Sequence, residues 1–213
     1  MNIIILGPQG SGKDTQAEKL AEHFNLERVN MGNFLREVAK QNTPLGKEIY
    51  QYQNVKGAMV PSRILKEVLG IKLNSFAREQ GIVFEGVPRT MEQAEYFDEA
   101  VKESGRKIDK VVFINLPKEE ALKRISKRRV CKNCEKILIM VKDIESEKEK
   151  CPDCGGEIVL RIDDTDEVIA RRLKVFQDET VPVIDYYKKQ GKLLEVNGAQ
   201  GIEKVFADIL KAL

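Results

Sequence analysis

The stretch 6-LGPQGSGKDT-15 decides how the rest of the chain is read. A phosphate-binding loop has the form G-x-x-x-x-G-K followed by Ser or Thr. Gly7 and Gly10–Ser11–Gly12–Lys13 fit, but Asp14 stands in the hydroxyl's place and Thr15 comes one position late. The flanks supply the context such a loop needs. Residues 3–6, IIIL, are a short β-branched apolar run that predicts a buried strand. Beyond the loop, Ala17, Leu20, Ala21 and Phe24 recur at helical spacing on one face. In a strand, glycine turn and helix, backbone N–H groups and the helix N-terminus can meet phosphate oxygens, and Lys13 adds a mobile positive charge.

Working outward, residues 82–84 (IVF) and 111–116 (VVFINL) predict two more buried strands, and 192–196 (KLLEV) a weaker one. Ser62 is expected to be an N-cap, with Ile64, Leu65, Val68, Leu69, Leu73 and Phe76 as the helical stripe behind it. Pro117 is expected to start a helix that carries Arg124 and Arg128 at i, i+4 on one face. From Asp163 a long helical segment is expected. Asp163, Asp164, Asp166 and Glu167 suit its positive end, and Ile169, Leu173, Phe176 and Thr180 form its inner stripe. Pro182 should kink or break it. Strands alternating with helices imply an α/β fold, a parallel sheet covered by helices on both faces.

Two segments interrupt the alternation. Residues 31–61 read as helical, with turns at Thr43–Pro44 and Lys56–Gly57; residues 130–162 hold all four cysteines and the alternating run EKEK at 147–150. Both are expected as inserts rising from the sheet's edge, leaving 1–30, 62–129 and 163–213 as the core domain.

Composition narrows the class. With 213 residues, 42% hydrophobic and 33% charged, the chain is globular and long enough for one domain with inserts or two small ones. A net charge of +2 makes no case for a nucleic-acid or membrane partner. The apolar run Ile3 to Leu6 is too short for a signal peptide, and no stretch approaches the roughly 20 apolar residues that span a bilayer. The expected location is cytoplasmic, where structural disulfides are rare.

Three further motifs carry chemistry. In 85-EGVPRTMEQA-94, Glu85 falls at a strand's C-terminal end, where nucleotide-binding sheets hold Mg²⁺ or its waters. Arg89 follows in a turn set by Gly86 and Pro88, and its planar fork suits phosphate oxygens. The run 124-RISKRR-129 reads, on its own, as an ordinary basic helix end. Finally, Cys131-x-x-Cys134 and Cys151-x-x-Cys154, sixteen residues apart, read as a tetrahedral four-thiolate zinc site with Cys154–Gly155–Gly156 as its tight turn. Four thiolates close the coordination sphere, so this zinc is expected to be structural. His23, the single histidine, reads as a surface residue.

Taken together, these motifs resemble the adenylate kinase family in its long bacterial form with a zinc-bearing lid, over essentially the whole chain. The resemblance implies a P-loop core with a helical monophosphate-binding insert (31–61) and a zinc-ribbon-like lid (130–162). It implies transfer of the terminal phosphoryl of Mg-ATP to AMP, giving two ADP, by a monomer that uses no nucleic acid or membrane partner. The family's loop ends in Gly-Lys-Gly-Thr, so Thr15 stands in the family's place and Asp14 replaces a glycine. The implied ATP site is Gly10, Ser11, Gly12, Lys13, Asp14 and Thr15, with Lys13 on the β- and γ-phosphates, Arg124 against the base, Arg128 at the phosphates and Gln200 near the adenine. For AMP, Arg36 and Arg89 would hold the phosphate and Gln93 would read the base. Met31, Ala58, Met59, Val60, Gly86, Val87 and Pro88 would line that site. Arg161 and Arg172 would close over the phosphoryl in flight, which makes Lys13, Arg89, Arg124, Arg128, Arg161 and Arg172 the implied catalytic set. Thr15 and Glu85 would reach Mg²⁺ through water.

Several positions depart from the family's pattern. Met31 stands for a threonine near the AMP base, Asn33 for an aspartate, Glu85 for an aspartate and Val87 for a phenylalanine. Ile137–Leu138 replace a hydroxyl and an aromatic that approach ATP, and Ile162 follows Arg161 where a polar residue is commoner. Met31 donates no hydrogen bond, so a kinase for another monophosphate, UMP or CMP, stays open. A zinc-ribbon nucleic-acid binder is the more distant alternative; the absence of aromatic residues between Cys131 and Cys154 removes its stacking platform. The lack of a guanine-reading N-K-x-D argues against a GTPase.

Overall fold

The computed structural model describes residues 1–55, 59–134, 136–141, 143–146, 148–160 and 166–213. Strand β1 (Asn2–Leu6) is buried along its whole length, as its unbroken apolar run requires. It lies at the centre of a five-stranded parallel sheet of order β2-β3-β1-β4-β8, with β2 at Glu27–Asn30, β3 at Ile82–Glu85, β4 at Lys110–Asn115 and β8 at Leu193–Asn197. Parallel neighbours need crossovers, and helices supply them on both faces.

The period of two divides the core. Ile4, Leu6, Val29, Ile82 and Phe84 point to one face, against α4 (Ser62–Asn74), α5 (Met91–Glu103) and α8 (Val181–Lys189). Ile3, Ile5, Val83, Val112 and Ile114 point to the other, against Ala17 and Leu20 of α1 (Lys13–Phe24) and Val205 and Ile209 of α9 (Ile202–Ala212). The expected α/β architecture is present, with helices covering both faces.

Strand β2 was not expected. Its sequence, ERVN, has one apolar residue because only Val29 faces the core from this edge position. Segment 31–61 rises from that edge as α2 (Met31–Ala39), α3 (Pro44–Tyr50) and a π-helical turn (Gln51–Val55). Thr43 caps α3 through its side chain, as the Thr43–Pro44 turn requires; the Lys56–Gly57 turn lies outside the described residues. Its buried side chains add to the main core: Met31, Leu35, Val38, Ile49 and Val60 belong to that cluster.

Two local expectations are corrected. Ser62 is the first residue of α4 and Pro61 holds the N-cap position, since proline's fixed φ favours entry and no side chain caps there. Helix α6 (Lys118–Ser126) ends before Arg128, which begins strand β5 (Arg128–Cys131) instead of continuing the helical face with Arg124. β5 pairs antiparallel with β6 (Ile137–Ile139) and β7 (Ile158–Val159), a separate small sheet that starts two residues before the expected insert. It carries its own cluster of Cys131, Leu138, Ile144, Cys151 and Ile158. Among the described residues no helix is long and apolar enough to cross a membrane.

The final helical segment is divided, as Pro182 predicts. α7 (Asp166–Val175) passes through a π-helical turn (Phe176–Thr180) into α8, whose first turn holds the proline. Asp163 and Asp164 lie outside the described residues. Leu116, Ala121 and Ile125 from the α6 side pack with Ile169 and Leu173 of α7 in a small cluster of their own.

Candidate active site

The C-terminal ends of β1, β3, β4 and β8 lie along one edge of the sheet, because all of its strands are parallel. Crossovers leave β1 toward β2 and β4 toward β8, so the strand order reverses between β1 and β4, the place where such sheets bind ligands. The glycine loop sits there. Gly10 and Gly12 have φ of +81° and +82°, a left-handed backbone that a side chain would strain. No side chain caps α1 at Gly12, so its first-turn amides are left for a ligand. Ser11 is buried, and its hydroxyl finds no partner among the described residues.

Lys13 begins α1, with its Nζ 3.5 Å from the Pro8 carbonyl. Burial holds its ammonium below the usual lysine range; Glu85 opposes that shift, and Arg89 and Arg128 reinforce it. Arg89 comes from the loop after β3 and Arg128 from β5, yet the fields of both reach Lys13. The positive fields of Arg89 and Arg128 thus overlap at Lys13, which favours a polyanion there.

The Asp14 side chain reaches to β2. Its carboxylate accepts hydrogen bonds from Arg28 Nη2 and, at 3.3 Å, from Asn30 Nδ2. The same two donors reach Glu85 Oε2, at 3.1 and 2.8 Å. Arg28 and Asn30 share a face of β2, and Asn30 lies beside Glu85 in the parallel register. Glu85 is buried, and burial followed by the charge of Asp14 raises its carboxyl above the usual range, with Lys13 opposing. Sequence reasoning missed Arg28 because it missed β2.

Arg89 is held at three points. Its Nε donates to the Gly86 carbonyl at 2.8 Å and its N–H to Gln93 Oε1 at 2.9 Å, while its carbonyl accepts from Thr180 Oγ1 at 2.9 Å. Gln93 is buried on α5, and Val87 and Pro88 are buried beside it. On α2, Asn30 accepts from the Asn33 N–H, and the exposed Arg36 donates to Asn33 Oδ1. Met31 is 1% exposed and packs in the main core, whereas Met59 is 42% exposed and Val60 buried. Replacing Met31 with Thr should therefore act first on stability. A shortened side chain plus a buried hydroxyl is expected to cost about 2–4 kcal/mol, read from the denaturant midpoint.

Arg124 stays on α6, its Nε 3.2 Å from Glu120 Oε1. Arg128 is buried, and Arg172 lies on the last turns of α7. Gln200 donates to the Asn197 carbonyl and to Asp208, each at 2.9 Å, which fixes it in the loop after β8. Thr15 is on the first turn of α1. Ala58 and Arg161 lie outside the described residues.

The four cysteines converge. Their sulfurs lie within 4.8 Å of one another, with Cys131 to Cys154 at 3.4 Å and Cys134 to Cys151 at 3.6 Å. Thiolates around a tetrahedral zinc, with bonds of about 2.3 Å, stand about 3.8 Å apart. A Cβ on Gly156 would fall 2.7 Å from Cys131 Sγ, so the knuckle closes only with glycine there. The Gly156 N–H first, and then the neighbouring thiols, bring Cys154 down to about 6. Cys134 is pushed up to about 12, the Lys136 N–H lowering it and Cys154 and the other thiols raising it. Four sulfurs this close can bind one metal ion.

A family model described as Adenylate kinase matches residues 5–192. The chain is 42% identical to a protein of Methanothrix thermoacetophila named Adenylate kinase, over 100% of this chain and 98% of that one. It is 40% identical to proteins of the same name from Archaeoglobus fulgidus, over 98% and 96% of the two chains, and Caldicellulosiruptor bescii, over 100% and 99%.

Proposed function

Since the chain belongs to the adenylate kinase family, we propose a residue-level account of how it works. It is a phosphotransferase that moves the terminal phosphoryl of ATP reversibly to AMP, giving two ADP. The observation that carries the account is the glycine loop itself: left-handed Gly10 and Gly12 lead into Lys13 at the start of α1, at the place where the strand order reverses.

Gly10, Ser11, Gly12 and Thr15 cradle the ATP phosphates with backbone amides and hydroxyls, and Lys13 spans the β- and γ-phosphates. Arg128 adds charge there, Arg124 lies against the base, and Gln200 sits at the adenine. The AMP phosphate is held by Arg89 and Arg36. Gly86, Val87 and Pro88 shape the turn that presents Arg89, which Gly86, Gln93 and Thr180 hold in place. Gln93 gives its oxygen to that turn and keeps its amide N–H groups for the base. Met59, Val60 and Ala58 lie beside the base, and Met31 shapes the pocket from the core behind it. Arg161 and Arg172 close over the phosphoryl in flight.

Thr15 and Glu85 offer oxygen donors, the set that suits Mg²⁺, and would hold it through water. When bound with ATP, the ion neutralises charge that develops on the phosphoryl oxygens. The protein's own task is positioning and charge stabilisation, so no side-chain nucleophile is needed. Segments 31–61 and 130–162 close on AMP and ATP respectively and exclude water, which would otherwise accept the phosphoryl. The four-cysteine site holds structural zinc. The enzyme acts as a cytoplasmic monomer, without nucleic acid or membrane partners.

Initial rates from Mg-ATP to AMP, dAMP, CMP, UMP and GMP test this reading. AMP is expected to win by at least about tenfold, a gap of roughly 1.4 kcal/mol in transition-state binding. A pyrimidine monophosphate that reacts faster would assign the chain a different acceptor.

A further inference from the structure

A carboxylate beside a phosphate loop repels the ligand the loop is built for, and here there are two. Asp14 follows Lys13 directly, and Glu85 ends the strand next to β1. Both take hydrogen bonds from the same Arg28 nitrogen and the same Asn30 amide. Two neighbouring carboxylates repel, and a cation between them relieves that repulsion without taking up a proton; Arg28, paired with both, is placed to be that cation. Its position follows from the fold: β2 lies beside β3, and alternation turns Arg28 and Asn30 to the face that Asp14 approaches from α1.

We propose that Arg28 is a positioning residue for ATP binding: it draws the Asp14 carboxylate away from the loop and neutralises it, so that the loop accepts a triphosphate despite Asp14. This deepens the phosphotransfer reading and rests on it. Arg28 touches neither substrate; it acts through Asp14. The two positions form one unit, so a chain with Asp14 but without Arg28 would hold an uncompensated negative charge at the mouth of the loop.

The test is the effect of Arg28→Gln on the KM for ATP, measured with and without Asp14→Gly. In the otherwise unaltered chain, Arg28→Gln is expected to raise the KM for ATP by about tenfold; with Asp14→Gly already present, the same change should raise it by less than about threefold. The KM for AMP should move by less than about twofold in either background, which a general loosening of the fold would not respect. Arg28→Lys gives up the guanidinium's fork but keeps the charge, and since a single Arg28 nitrogen serves both carboxylates a point charge can replace it, so this variant should stay within about threefold of the unaltered chain. Equal rises in both backgrounds, a rise for AMP to match that for ATP, or a lysine variant as impaired as the glutamine variant would overturn the proposal. If the unaltered chain transfers no phosphoryl to AMP, the phosphotransfer reading fails by itself. The same four-way comparison of ATP Kd by calorimetry then decides Arg28's role: coupling upholds it and equal losses overturn it.

Discussion

Lys13→Gln is expected to lower kcat for ATP-to-AMP transfer by about 10²–10³, the scale of removing one preorganised charge from a transition state. The fold should survive. Among the described residues the one hydrogen bond of the Lys13 side chain is the 3.5 Å contact of Nζ with the Pro8 carbonyl, and Lys13 begins α1 without capping it. Removing it lifts the desolvation of its ammonium and the repulsion from Arg89 and Arg128 but forgoes the attraction of Glu85, so the melting temperature should change little. The measurement is single-turnover transfer alongside a thermal melt. A loss of activity that comes with a matching loss of stability would show that Lys13 serves the fold and not the phosphoryl. A kcat within about threefold of the parent would remove it from the chemistry.

Cys131→Ser should empty the thiol site. Cys131 is completely buried at the end of β5, and its sulfur is the one nearest Gly156. Metal analysis of protein purified without chelator is expected to give about one zinc per chain for the parent and none for the variant. Structural zinc contributes on the order of 10 kcal/mol to a small site, and two of the five buried side chains of its cluster, Cys131 and Cys151, belong to the thiol site itself. The three-stranded sheet should then lose its order while the parallel sheet keeps its own two-faced core. Phosphotransfer should fall with it, since β5 begins at Arg128. A parent protein free of metal would sink the four-thiolate reading.

Where short-range pattern governs structure, the sequence was a sufficient guide. The IIIL run and the glycine loop formed as their pattern demands, and Ala17 and Leu20 of the α1 stripe are buried, whereas Phe24 at the helix end is exposed. The cysteine pairs also met, because two tight knuckles leave little freedom in how four sulfurs come together. Long-range partners decided the rest. ERVN is a strand only because β3 lies beside it, and a single inward valine leaves no periodic signal. With β2 unseen, Arg28 had no address, although an arginine two residues before a helix-capping asparagine was there to be noticed. Arg128 would share a helical face with Arg124 only if α6 ran on; pairing with Ile139 across the thiol-bearing sheet ends the helix first. Asp14 looked misplaced because the residue that compensates it sits on another strand.

The small cluster of Leu116, Ala121, Ile125, Ile169 and Leu173 has an evolutionary consequence. It joins the chain just before the cysteine-bearing segment to the chain just after it, independently of either sheet. Both stems are anchored to each other, so the stretch between them can lengthen, shorten or exchange its metal site over generations without disturbing the parallel register. Descent can therefore change that segment's length and its metal ligands around its phosphate-facing arginines, while β1 and its neighbours stay bound to one sequence pattern.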